Sequence, residues 1–211
     1  MRILALDTAL GLCSASVVEG GTARATLSEA MQQGHQERLA PLVAMVMAEA
    51  GFDFSQLDRI AVTVGPGSFT GLRVGLSFAK GLGFSLNVPV VGLDSLTAIA
   101  ASAPRSGSGL AVIDARRGQA YVGHFNGQAP RGAPEALRLD DLAVFPTPDW
   151  IAGPGVDLVR DLYPQAEGDA RLGAGPVALA RLAAVADPAT SLPEPVYLRA
   201  PDAKLPGGVD P

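Results

Sequence analysis

The chain has one cysteine, two histidines and only two lysines in 211 residues, and each scarcity removes a class of function. A single thiol, Cys13, cannot form a disulfide within the chain. It sits among small residues in an expected strand with no activating neighbour, so it reads as an inert buried thiol. The two histidines, His35 and His124, fall on different expected elements, which excludes a two-histidine metal site at helical spacing. His35 opens an expected helix, where a structural or surface role outweighs a catalytic one. The net charge of -5 and a pI near 5.0 argue against this chain holding nucleic acid unaided, since the arginines are scattered. No apolar run reaches membrane-spanning length, and the opening MRILALDTA lacks the apolar core of a signal peptide. A cytoplasmic protein is expected.

What the chain does have is concentrated between Ile60 and Leu86, IAVTVGPGSFTGLRVGLSFAKGLGFSL. A short β-branched run reads as a buried strand, Gly65-Pro66-Gly67 as a turn, and Ser68 or Thr70 as the cap of a helix. That helix carries Gly71, Gly75, Gly81 and Gly83, each costing about 0.8–1 kcal/mol against alanine. Such a cost is accepted only where something approaches the backbone closely. Projection at about 100° per residue puts Gly71, Val74, Gly75, Phe78, Leu82 and Leu86 on the core side. Leu72, Leu76, Ala79 and Gly83 form a flank. The apolar arc is wide enough for a helix sandwiched within its own domain, or for one whose flank meets another chain. The second is the expectation taken here, with the partner surface at Leu39, Leu42, Met45, Leu72, Leu76, Ala79 and Gly83.

In order, the chain reads as strands Arg2–Leu6, Gly11–Glu19 and Thr22–Ser28, then an amphipathic helix His35–Ala50 stopped by Gly51. The glycine-rich unit and a strand Val88–Val91 follow. Leu110-Ala-Val-Ile-Asp114-Ala-Arg-Arg-Gly118 then repeats the plan of Ile3-Leu-Ala-Leu-Asp7-Thr-Ala-Leu-Gly11. Gln119–Phe125 completes a second hairpin, and helices are expected over Gly155–Leu162 and Gly175–Val185. Pro195–Leu198 reads as a last strand. A repeated hairpin-plus-helix unit predicts an α/β protein of two similar lobes, each a mixed sheet with flanking helices. Two such lobes with an aspartate at the end of each first strand resemble the actin-like, RNase H-like architecture. The lobes are expected over residues 1–101 and 102–199, with a disordered tail at 200–211.

The combination DTA, HQERLAPLV, TVGPGSFTGLRVGLSFAKGL, NVPVVGLDSL and DARRGQAYVGHF resembles the TsaB (YeaZ) family over most of residues 1–125. The resemblance implies a catalytically silent subunit that binds and activates a TsaD-like transferase in threonylcarbamoyladenosine modification of tRNA. It also implies a TsaE-like ATPase as partner, a homodimer as an alternative assembly, and contact with tRNA only through the complex. The transferase itself resembles this chain but holds a metal through H-x-x-x-H after an N-V-P strand. Aligned through Asn87-Val88-Pro89, this chain has Ser95 and Ile99 there, which make no metal site.

Asp7, Thr8 and Asp114 match the positions where actin-like kinases hold a nucleotide's Mg²⁺, but they also suit turn caps. Gly65, Gly67 and Ser68 precede a helix and so could meet an anion, although no Walker A lysine follows. No resident cofactor is expected, with ATP or ADP left open at a partner interface. Two other readings compete: an autonomous small-molecule kinase of the same fold, and a metallopeptidase.

Overall fold

The computed structural model describes residues 1–103 and 105–199. The expected tail, 200–211, lies outside the described residues. Two sheets of matching plan organise the chain. The first contains β1 (Arg2–Asp7), β2 (Leu12–Glu19), β3 (Thr22–Ala30), β4 (Arg59–Gly65) and β5 (Val90–Asp94), in the order β3-β2-β1-β4-β5. β1–β2–β3 is an antiparallel meander, and β4 and β5 run parallel to β1. The second contains β6 (Ser108–Arg116), β7 (Gln119–Asn126), β10 (Trp150–Ala152) and β11 (Glu167–Asp169), with the short β8 (Ala129–Pro130) and β9 (Glu135–Arg138) on the far side of β7. β6 and β7 are again antiparallel, while β10 and β11 run parallel to β6. The internal echo read from the two aspartate-ended runs is therefore a repeat of topology.

Helices make the layers. α1 (His35–Ala50) and α2 (Phe69–Leu86) cover one face of the first sheet; α3 (Ser95–Ser102) and α5 (Pro176–Val185) cover the other. β1 is buried on both sides: Leu4 and Leu6 point to α1 and α2, Ile3 and Ala5 toward α5. This explains why it reads as a continuous apolar run rather than an alternating one. α3 also packs Leu96, Ile99 and Ala100 against Ala111, Ile113, Phe125 and Trp150 of the second sheet, so it is the middle layer between lobes. The outer face of the second sheet is closed by α4 (Val156–Val159) and a 3-10 turn at Leu139–Val144.

α1 spans His35–Ala50 without interruption at Pro41, and Gly51 ends it in the left-handed region. Several boundaries shift by one or two residues from expectation, the helix α3 is not among the expected elements, and three further differences have a physical reason. β5 begins at Val90 rather than Val88, because Asn87 takes φ 54 and Val88 N–H donates back to Gly83 to close α2. The helix expected over Gly155–Leu162 shrinks to one turn. Pro195–Leu198 is not a strand: Val196 donates once to Val64, and Pro193 and Pro195 have no N–H for a ladder. The segment 174–183, though it follows the second sheet in sequence, packs on the first.

Candidate functional site

Three of the four glycines of α2, and Gly67 just ahead of it, admit a close neighbour. A Cβ on Gly71 would lie 2.0 Å from the Thr8 carbonyl oxygen, and one on Gly75 would lie 2.5 Å from Thr8 Oγ1. On Gly67 it would meet the Ala9 oxygen at 2.4 Å, and on Gly83 it would meet Val90 Cγ2 at 2.3 Å. Thr8 Oγ1 donates to the Gly71 carbonyl at 2.7 Å, and Ser68 N–H donates to Ala9 at 2.7 Å. What approaches the helix is thus the chain's own Asp7–Ala9 turn and its own β5. Ser68 is the cap, accepting from Gly71 N–H. Gly81 alone has open space around it.

This overturns the projected faces of α2. Leu72, Leu76, Ala79 and Gly83 are buried in the chain's own core, and Val74, Phe78 and Leu82 form the half-buried side strip. Gly71 and Gly75 are buried as projected, but the bulky Val74, Phe78, Leu82 and Leu86 yield the rest of the core to Leu72, Leu76, Ala79 and Gly83. Leu39 and Leu42 of α1 are buried as well, each fully. Among the expected partner-surface residues only Met45, 49% exposed, reaches solvent. Phe84, 92% exposed near the C-terminal end of α2, carries no such expectation from the sequence, although its position off the leucine stripe could have marked it.

The two aspartates part company. Asp7, 2% exposed, is spent internally. Its Oδ1 accepts from Ala9 N–H and Thr63 Oγ1, and its Oδ2 from Ala174 N–H. Burial pushes its carboxyl above the ordinary range, while those hydrogen bonds and nearby His35 pull the other way. Asp114 lies two residues before the end of β6, at the rim of a cleft of about 780 Å³ between the lobes. It accepts from Arg116 N–H at 2.7 Å and pairs with the Arg116 guanidinium at 3.1 Å, helped by the left-handed backbone of Arg116 and Arg117. Gly67 and Ser68 also line this cleft, whereas Thr8 is buried beneath α2. Gly65, at φ 113, leaves room for the Val196 carbonyl rather than for an anion.

On α3, Asp94 accepts from Thr97 N–H as the helix cap, and its carboxyl is raised by burial. Ser95 and Ile99 are buried, and the Ser95 hydroxyl has no hydrogen-bond partner. A hydroxyl and an isoleucine do not fit the metal that an H-x-x-x-H pair would hold, and no three His, Cys, Asp or Glu converge on a common point among the described residues. His35 is buried, and its Nε2 has no partner. Cys13 is fully buried, and burial together with Glu29 pushes its thiol up to about 11, as an inert thiol requires.

Two mixed sheets of one topology, facing each other across a cleft with an aspartate at or near the end of the first strand of each, define an actin-like two-lobed protein. The comparisons narrow the class. A family model described as TsaD, tRNA N6-adenosine threonylcarbamoyltransferase, matches residues 26–139. The tRNA threonylcarbamoyladenosine biosynthesis protein TsaB of Escherichia coli (strain K12) is 37% identical over 57% of this chain and 53% of its own length. An uncharacterized protein of Mycobacterium tuberculosis (strain ATCC 25618 / H37Rv) is 34% identical over 96% of this chain and 93% of its own. The structure of YeaZ from Pseudomonas aeruginosa superposes with a TM-score of 0.80 at 32% identity, covering 93% of this chain and 99% of that one. The chain spans about half the length of the first curated relatives it matches. It belongs to the TsaB (YeaZ) family.

Proposed function

We propose that this chain is the catalytically silent subunit of a tRNA-modifying assembly, binding and activating a TsaD-like transferase that places threonylcarbamoyl on the adenosine next to the anticodon. The observation that carries this reading is the fate of Asp7. A kinase of this architecture needs a carboxylate free to hold hydrated Mg²⁺ at the end of its first strand, and here that carboxylate is consumed by Ala9, Thr63 and Ala174. The glycine-rich helix that covers it serves folding rather than phosphate binding. The partner docks on the outer side of α1 and α2, at Met45, Val74, Phe78 and Leu82, and the same face serves a second copy when the transferase is absent. A TsaE-like ATPase joins the assembly, tRNA is met through the complex, and any ATP or ADP belongs to the partner interface. The setting is the cytoplasm; no helix among the described residues is long and apolar enough to cross a membrane.

The test is reconstitution with the TsaD-like protein of the same organism. The chain alone is expected to transfer no threonylcarbamoyl, to co-elute with the transferase, and to raise its output. Met45→Glu combined with Phe78→Glu should abolish co-elution while the circular dichroism spectrum is kept, because an unpaired charge buried at an interface costs several kcal/mol. ATP-dependent phosphorylation of a small acceptor by the chain alone, or transferase output indifferent to its presence, would refute the reading.

A further inference from the structure

The lobes are joined on one side by the segments between α3 and β6 and between β11 and α5, and these two crossings are fastened to each other. Gly175 N–H donates to Ser102 Oγ at 2.7 Å, and Arg105 pairs with Glu167 at 2.8 Å and with Asp169 at 3.8 Å. A second fastening runs along residues 191–199. Gly92 N–H donates to Ser191 at 2.9 Å and Val196 N–H to Val64 at 2.8 Å, which ties the segment to the first sheet. The Tyr197 ring then packs on Phe69, with centroids 5.4 Å apart. The Arg73 guanidinium lies 3.7 Å over Phe69, and its Nε reaches the Tyr197 hydroxyl at 3.4 Å. Arg199 Nη1 finally donates to the Ala115 carbonyl of the second sheet at 2.7 Å. Tyr197 and Arg199 both line the cleft, beside Ser68 and Phe69 of one lobe and Arg116 of the other.

We infer that residues 191–199 are a clasp that fixes the aperture of the cleft, so that the lobes do not open and close on a ligand. The segment suits this task. Pro193 and Pro195 lock two of its φ angles, so little conformational freedom is lost in holding it extended across both lobes. Phe69, 45% exposed, and Tyr197, 42% exposed, sit at the surface, where a clasp can be released without emptying the core. Phe69 and Arg73 occupy the first turns of α2, so the clasp also ties the cleft to the helix on which the proposed partner docks.

The experiment needs only the chain itself, so its outcome is independent of the partner reading. Nitroxide labels at Glu49→Cys on α1 and Asp157→Cys on α4 report the distance between lobes by pulsed electron paramagnetic resonance, while the fully buried Cys13 stays unlabelled. The otherwise unchanged chain is expected to give a single narrow distance. Tyr197→Ala combined with Arg199→Ala, and separately Val196→Pro, should lose that single peak for a broad distribution while melting cooperatively. The inference falls if both variants keep the narrow peak, since the α3 core alone would then hold the lobes. A broad distribution in the unchanged chain would also overturn it, and so would unfolding of the variants, which would make the segment core rather than clasp.

Discussion

Gly71 and Gly81 lie on the same helix and share an intrinsic helix cost, yet the structure gives them opposite consequences. Gly71→Ala drives a methyl into the Thr8 carbonyl, and because both atoms belong to packed backbone the expected loss is about 3 kcal/mol or more. Gly81→Ala meets nothing within 4 Å and should raise stability by about 0.8–1 kcal/mol. Denaturant melts of the two variants read both signs. His124 offers a second residue-scale test. Its ring lies 4.8 Å from Phe145 behind the outer hairpin, its Nε2 is buried without a partner, and burial lowers its pKa despite Glu135. The native state therefore resists protonation while the unfolded chain titrates at the ordinary value of about 6.5. Stability is full above that value and declines as the pH falls below it. His124→Phe is expected to melt with a shallower acid decline than the parent, the comparison being made between pH about 7.5 and about 5.5. An identical decline in both would place the acid sensitivity elsewhere.

At the scale of elements, α2 decides between folding and association. Leu76 is 4% exposed within the cluster formed by β1, β4 and α1, so Leu76→Arg buries a charge with no partner. A loss of about 3–5 kcal/mol is expected, enough to unfold much of a marginally stable domain. Met45→Glu on α1 is the contrast: a half-exposed side chain whose replacement should stay within about 0.5 kcal/mol in the isolated chain. Thermal melts that rank the two the other way would return the α2 flank to the surface. The periodicity of α1 was legible because its leucines, valines and Met47 mark one stripe, although Leu39 and Leu42 of that stripe, expected at a partner surface, are buried in the chain's own core. That of α2 was not, because its apolar residues surround most of the helix, and the choice among faces depended on where the Thr8 turn and Val90 come to rest.

At the scale of the whole molecule, the acidic balance carries a prediction of its own. The chain in isolation should bind tRNA weakly at physiological salt, because a net charge of -5 opposes the counterion release that drives such binding. A filter assay giving tight binding without any partner would contradict this. The sequence by itself determined the repeat of two hairpins with an aspartate late in the first strand, the order of elements from β1 to β5, the inert thiol and the lack of a histidine pair, because these follow from local pattern and from which residue types exist at all. The helix α3 and the placing of α5 on the first sheet were not legible there. Only the tertiary structure decided that Asp7 is saturated while its counterpart Asp114 opens to the cleft, and that the glycines of α2 admit the chain's own turn. It alone decided that a proline-bearing stretch read as a strand is a strap across both lobes. The reason is physical. Whether a carboxylate, a glycine or an unladdered segment meets solvent or backbone is set by elements brought together from more than a hundred residues away, as Ala174 is to Asp7, and no local spacing encodes that meeting.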